Sequence, residues 1–346
     1  MKLLITTQKV DKDDDILGFF HAWIKEFAAH YEEVLVIALY VGAYDLPKNV
    51  RVLSLGKEGG VSRIKYLKRF FSYILRERHS YDQVFVHMNT EYVVLGGLLW
   101  RLMGKKIALW YTHRQVTWKL RAAVAFSDVI FTAAKESLNL ISPKIRVVGH
   151  GIEVEKFLCN EKIPGTPLQI LHMGRITRIK NCDTLIEAAA LLEGSGTPVN
   201  IVFAGETITP DDMLYKQELD VLTAKHRLAD LVTFTPVGYH ALHDVFARAD
   251  VTVNLTPTGG IDKAVLSGFV ARRPTFVSNS AFKELLGIYA DRLIFNYRDA
   301  KDLTDKISTF LASPDRSKVL SNLSERVQKE FSVKHVIDEI TNAIDH

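Results

Sequence analysis

The chain has 346 residues, of which 47% are hydrophobic and 24% charged, with a formal net charge of +4. That length predicts two domains, and the composition excludes wholesale disorder. With only Cys159 and Cys182, a disulfide framework and a cysteine-rich metal motif are excluded, and a reducing compartment fits.

The first residues, MKLLITTQKVDKDDD, hold a brief apolar run before an acidic cluster, which is not the pattern of a signal peptide. The apolar run at 34–44 is far shorter than a membrane span. A cytoplasmic location is expected. Strand-like runs follow at Leu3–Thr6, Val34–Leu39, Val50–Leu55, Gln83–His87, Lys106–Tyr111, Val129–Thr132 and Ile145–Val148. They resume at Gln169–Met173, Asn200–Ala204, Leu231–Phe234, Val251–Leu255, Thr275–Val277 and Arg292–Phe295. Most intervals fit a crossover helix, so each half reads as a doubly wound parallel sheet. Between them, residues 149–167 hold GHGIE, Pro164-Gly165 and Pro167, a boundary signal. The tail carries Val333, Val336, Ile337, Ile340 and Ile344 at helical spacing. Neither GxGxxG nor GxxxxGK[ST] occurs, which weakens dinucleotide oxidoreductase and P-loop readings. Charge is uneven: residues 1–150 have 22 Lys+Arg and 14 Asp+Glu, whereas 151–346 have 22 and 26. The basic first half and acidic second half are expected to face different partners.

Five clusters carry chemistry. In KVDKDDDILG, residues 9–18, Asp11, Asp13, Asp14 and Asp15 crowd one loop. They read first as helix caps, and otherwise as acceptors for sugar hydroxyls or ligands of a divalent ion, although the spacing fits no metal loop well. In GVSRIKYLKRFFSYILRER, residues 60–78, Val61, Ile64, Leu67, Phe71 and Ile74 trace one helical face. Arg63, Lys65, Lys68 and Arg69 occupy the rest with interleaved aromatics. Such a helix is either solvated or lies on an anionic membrane surface. No nucleic-acid motif accompanies it. In WYTHR, residues 110–114, His113 and Arg114 follow a strand, where open α/β sheets place ligands. His113 reads equally as a structural histidine, as does His87.

LHMGRITRIKN, residues 171–181, joins a strand, Gly174, Arg175, Lys180 and a helix start. This is a way to hold a diphosphate: close backbone approach, free N–H groups and two cations. LTPTGGIDKAVLSG, residues 255–268, repeats the arrangement with Gly259-Gly260 and with Lys263 in a first helical turn. A cation there opposes the helix dipole unless an anion sits between them. In both, the plainer reading is a βα turn with solvated cations.

Together these features resemble a GT-B glycosyltransferase, and more closely the retaining family 4 glycosyltransferases. VVGHGIEVEKF, GRITRIKN, FAGE at 203–206, FTPVGYHALHDVFARADVTVNLTPT and ARRPTFVSN carry the resemblance in order. It implies two Rossmann-like domains facing a cleft: an acceptor-binding domain over 1–152 and a donor-binding domain over 153–330. A terminal helix over 331–346 would return to the first domain. It implies transfer of a sugar from a UDP- or GDP-linked donor to a glycan or lipid-linked acceptor, with no cofactor and no metal. In the matching positions, Arg175 and Lys180 would contact the donor diphosphate and His113 the donor sugar. Val237 and Gly238 would hold the base. The family has two glutamates where this chain has Gly259 and Ser267. Ser267 would be a neutral substitute at the ribose, and Asp262 or Lys263 would stand in near the sugar. A Ser267→Glu change is expected to leave folding intact. The loss of both glutamates leaves open a 2-epimerase of the same fold or a non-catalytic nucleotide-sugar-binding relative.

Overall fold

The computed structural model describes residues 1–345 and divides into two compact units, Met1–Glu153 with Phe331–His346, and Val154–Glu330. In the first unit the strands are β1 (Lys2–Val10), β2 (Glu33–Val41), β3 (Val50–Ser54), β4 (Gln83–His87), β5 (Lys106–Trp110), β6 (Val129–Thr132) and β7 (Ile145–Val147). They form one parallel sheet in the order β3-β2-β1-β4-β5-β6-β7. Side chains alternate along each strand, so the sheet has two apolar faces. Leu3 and Ile5 point to the face covered by α1 (Phe19–His30), through Phe20, Trp23, Ile24 and Phe27. Leu4 points to the other face, covered by α2 (Arg63–Arg76), α3 (Thr90–Leu102) and α4 (Trp118–Phe126).

The second unit has five parallel strands: β8 (Leu168–Met173), β9 (Val199–Ala204), β10 (Val232–Thr235), β11 (Val251–Asn254) and β12 (Thr275–Val277), in the order β10-β9-β8-β11-β12. Its helices are α5 (Cys182–Gly194), α6 (Pro210–Lys225), α7 (Leu242–Arg248), α8 (Lys263–Val270), α9 (Lys283–Leu286), α10 (Ala290–Leu293), α11 (Ala300–Leu311) and α12 (Arg316–Phe331). The last helix, α13 (Val333–Asp345), belongs to the first unit. Its apolar stripe is buried beside α1, from Val336 to Ile344. In each sheet the winding reverses once, between β1 and β4 and between β8 and β11. Open α/β sheets bind ligands beyond the strand ends at such points.

Two sequence expectations are corrected. Arg292–Phe295 is not a strand: Ala290–Leu293 is helical, and one bridge, Val277 to Ile294, is all that joins the sheet. A short apolar run buried in either form looks the same in sequence. On α2 the expected apolar face is only partly the core face. Phe70 and Ile74 are buried, flanked by Tyr66 and Tyr73, whereas Ile64 is 68% exposed and Leu67 37%. The apolar arc of this helix is wider than the sheet can cover.

Candidate functional site

The site in the second unit forms where β8 and β11 end side by side. Gly174 follows β8 at φ 147°, a conformation that favours glycine. Its N–H donates to Ala204 O at 3.0 Å. The neighbouring Gly205, in the FAGE stretch, is required by close approach, since a Cβ there would lie 2.0 Å from Gly174 O. The chain then makes a 3-10 turn over Arg178–Lys180 and enters α5 through Asn181 in the left-handed region, at φ 44°. The Asn181 amide donates to Leu255 O and Tyr297 OH, which ties this turn to the end of β11.

Lys180 is thereby aimed across the gap. Its Nζ donates to Asp262 Oδ2 at 2.6 Å and to Thr256 Oγ1 at 3.1 Å. Asp262 caps α8 by accepting from Ala264 N, and it also accepts from Asn254 Nδ2 at 3.0 Å. The pair is mostly enclosed, at 17% and 23% exposure. Burial pushes the Asp262 carboxyl up, but Lys180 and the donated hydrogen bonds outweigh it and hold it below the ordinary carboxylate range. Gly259-Gly260 is fixed by the fully buried Asn279, which accepts from Gly259 N and donates to Gly260 O. Lys263 opens α8 itself.

Beneath Lys180 lies His172, fully buried on β8. Its Nδ1 meets Val253 O at 3.0 Å, while Nε2 has no hydrogen-bond partner. Burial, with the ammonium of Lys180 nearby, lowers its pKa to about 4. A neutral imidazole at this position keeps the seat from carrying two buried cations.

The other anticipated residues fall as follows. Arg175 is exposed, with no hydrogen bond or ion pair to another described residue. Arg178 is committed to Glu218 at 2.6 and 2.7 Å and rests on Tyr215, so Arg175 is the arginine left to meet an anion. Val237 and Gly238 follow β10. Nearby, a cavity of about 330 Å³ is lined by Gly205, Glu206, Lys216, Phe234 and Pro236. Ser267 is 4% exposed, enclosed in the core side of α8. A glutamate there would have to fit the same largely enclosed space.

His113 stands in the first unit, in the loop after β5, where it is exposed and Nδ1 accepts from Gln115 N at 3.1 Å. His87 is a core residue, stacked on Phe20 at 3.8 Å between ring centres and bonded to Thr7 Oγ1. Asp14 pairs with Lys9 and accepts from Ile16 N and Leu17 N, so the acidic loop caps its own turn. Asn254, Asn181, Asn279, Gly205 and His172 lie in the quoted stretches but were not singled out there, because their roles arise only where strand ends meet. Among the described residues, no group of three or more His, Cys, Asp or Glu is placed to hold a metal ion. No described helix is long and apolar enough to cross a membrane.

A family model described as glycosyl transferases group 1 matches residues 154–329, just over half of the chain. Among curated proteins, WcaL of Escherichia coli K12, assigned to colanic acid biosynthesis as a glycosyltransferase, is 25% identical over 214 residues. That match covers 58% of this chain and 51% of WcaL. The Salmonella typhimurium WcaL is 22% identical over 222 residues, covering 60% and 53%. The chain thus spans about half the length of the curated relatives it matches. Among solved structures, HepE of Anabaena in complex with UDP and glucose superposes with a TM-score of 0.75 at 14% identity, over 100% of this chain and 99% of HepE. Sucrose-phosphate synthase of Thermosynechococcus elongatus gives 0.75 at 16% identity, over 99% and 97%. At these identities the likeness is one of fold, the GT-B fold of two Rossmann-like units. The chain belongs to the glycosyl transferases group 1 family.

Proposed function

We propose that this protein is a retaining glycosyltransferase that uses a nucleotide-diphosphate sugar and glycosylates a hydroxyl of a glycan or lipid-linked acceptor, in cell-envelope polysaccharide or glycolipid synthesis. The observation that carries the reading is the seat at the β8–β11 reversal, where Lys180, beside Gly174 and within reach of Thr256, faces the N-terminus of α8. The second unit takes the donor and the first the acceptor. Val237 and Gly238 contact the base beside the cavity after β10. The complexes of HepE with UDP favour uridine over guanosine as the first base to test.

The acceptor hydroxyl oxygen attacks the anomeric carbon while the bond from that carbon to the β-phosphate oxygen breaks. The departing phosphate takes the hydroxyl proton, so no protein nucleophile is consumed. Arg175 and Lys180 stabilise the charge that grows on the leaving diphosphate, and His113 lies against the donor sugar. In this scheme Lys180 moves from Asp262 to the diphosphate. Asp262, still held by Asn254 and Ala264 N, becomes available to a sugar hydroxyl. Arg63, Lys65 and Lys68 on α2 hold the first unit against an anionic membrane face, with the exposed Ile64 and Leu67 entering it.

The test is thermal melting of the chain with a panel of nucleotides and nucleotide sugars, followed by transfer assays. A ligand specific to the native state raises the melting temperature. A UDP- or GDP-sugar should do so, and Lys180→Ala should abolish the shift. Absence of both binding and hydrolysis across the panel would sink the reading.

A further inference from the structure

The winding of the first unit also reverses, between β1 and β4, and a second cavity opens there. It has a volume of about 330 Å³, and its walls include Leu39, Leu55, Tyr66, Phe70 and Tyr92. Its lining also includes three polar side chains, Gln8, Asn89 and Glu91. Glu91 is paired with Lys119 at 2.7 Å, whereas the amides of Gln8 and Asn89 have no hydrogen-bond partner among the described residues. Immediately before Asn89, Met88 holds a left-handed backbone, at φ 64°. Such strain in a non-glycine residue is concentrated at functional sites. Amides and a carboxylate suit hydroxyl groups, and a carboxylate does not suit a phosphate.

Part of the cavity wall is exposed apolar surface. Leu67 of α2 and Leu95 of α3 line it and are themselves 37% and 38% exposed. From them two stripes run along the helices. Ile64 and Leu75 are 68% and 46% exposed on α2, and Leu98 and Leu102 are 58% and 76% exposed on α3. The spacings 64, 67, 75 and 95, 98, 102 each keep to one side of a helix. Along α2 these residues share the surface with Arg63, Lys65, Lys68, Arg69 and Arg76, and the helix has no acidic residue. An exposed apolar surface rimmed by cations matches an anionic bilayer rather than a soluble glycan.

We propose that this cavity is an acceptor site for an amphiphilic glycolipid. The sugar hydroxyls meet Gln8, Asn89 and Glu91. The first part of the apolar chain lies among Leu39, Leu55, Phe70 and Tyr92. The chain then leaves between Leu67 and Leu95 into a membrane held by α2 and α3. The volume accommodates about ten methylene-sized groups at roughly 30 Å³ each. The assignment rests on the glycosyltransferase reading above and narrows its acceptor to a lipid-borne one.

The test titrates the full chain with n-octyl β-D-glucoside below its micellar concentration, against methyl β-D-glucoside. The octyl compound should bind at least tenfold more tightly, because only it fills the apolar wall. Leu67→Glu with Leu95→Glu, both at partly exposed helix positions, should weaken the octyl compound at least tenfold and leave the thermal shift with UDP unchanged. Should melting show that double variant unfolded, Leu95→Gln alone should still weaken it about threefold. Leu98→Glu lies outside the cavity. It should leave octyl glucoside binding intact while reducing sedimentation with phosphatidylglycerol-containing vesicles. Equal binding of octyl and methyl glucosides overturns the proposal, as does undiminished octyl glucoside binding in the folded Leu67/Leu95 variants. The UDP shift separates the two readings: its loss with octyl glucoside binding retained removes the donor assignment, and its retention without octyl glucoside binding removes this one.

Discussion

The two units reverse their strand order at the same topological point and treat charge near it in opposite ways. In the second unit the important cation is turned inward. Lys180 is 17% exposed and held by Asp262 and Thr256 above a neutral histidine. In the first unit the cations point outward, on a helix that also leaves Ile64, Leu67 and Leu75 exposed. A mostly enclosed lysine keeps its interactions in a medium of low screening, where they gain strength and require fixed geometry. Exposed lysines are screened, act additively and tolerate motion. On the proposed reading, the enclosed lysine serves a small anion in one pose and the exposed cations serve an extended surface.

The sharpest way to break this contrast is to remove the cations one at a time. Arg175→Ala and Lys180→Ala should each cost about 2–4 kcal/mol of transition-state stabilisation, a fall of roughly 30- to 1,000-fold in kcat/KM. Their stabilities should differ. Lys180→Ala strands Asp262 and should cost about 1–3 kcal/mol by denaturant melts, whereas Arg175→Ala, exposed and without partners, should leave stability unchanged. Near-normal turnover in both variants removes the assignment of the seat.

The next largest effect is a pH dependence of folding. Burial lowers the pKa of His172 to about 4, from the ordinary imidazole value near 6.5, so the unfolded chain binds more protons in that interval. Stability should therefore fall as the pH drops from 6.5 to about 4, by up to about 3 kcal/mol from this residue. Asp262 acts with the same sign. Its depressed carboxyl contributes stability above its unfolded pKa, lost as pH falls through the folded value. Urea melts across this range should show the slope in the native chain, and His172→Gln should flatten it between pH 6.5 and 4. An unchanged slope would mean that the imidazole is not held neutral.

Gly205→Ala tests whether the seat depends on backbone approach. The added carbon would meet Gly174 O at 2.0 Å, so we expect a loss of about 2–3 kcal/mol in stability and weaker nucleotide binding. A crystal structure of the variant with Gly174 undisplaced would contradict this. The smallest effect belongs to the outer face. Lys65→Glu with Lys68→Glu should reduce affinity for phosphatidylglycerol-containing vesicles by about 2 kcal/mol or more, near 1 kcal/mol per removed charge, without changing the melting temperature. Undiminished vesicle binding would take α2 out of the membrane reading.

Much of the scaffold was legible as a string of residues. Twelve strand-like runs coincide with strands within a few residues, because β-branched and apolar clusters between turn residues have few other solutions. The stripe from Val333 to Ile344 became α13, and its periodicity marked the face that is buried. The misplacement of Arg292–Phe295 and of the α2 face has one cause. Local pattern reports that a segment is apolar, not which neighbour covers it.

The amino-acid sequence by itself determined the two parallel α/β units, the position of glycine and cation at Gly174–Lys180, the second glycine turn at Gly259-Gly260 and the excess of positive charge on α2. Tertiary structure alone decided that Lys180 is paired with Asp262, that Ser267 is enclosed, that His87 is a core residue and that Gln8 and Asn89 line one cavity with leucines from two helices. The physical reason is range. Periodicity and turn chemistry act over a few residues, whereas Lys180 and Asp262 are 82 positions apart and Gln8 and Asn89 are 81, and they meet only because parallel strands bring their carboxyl ends to one edge.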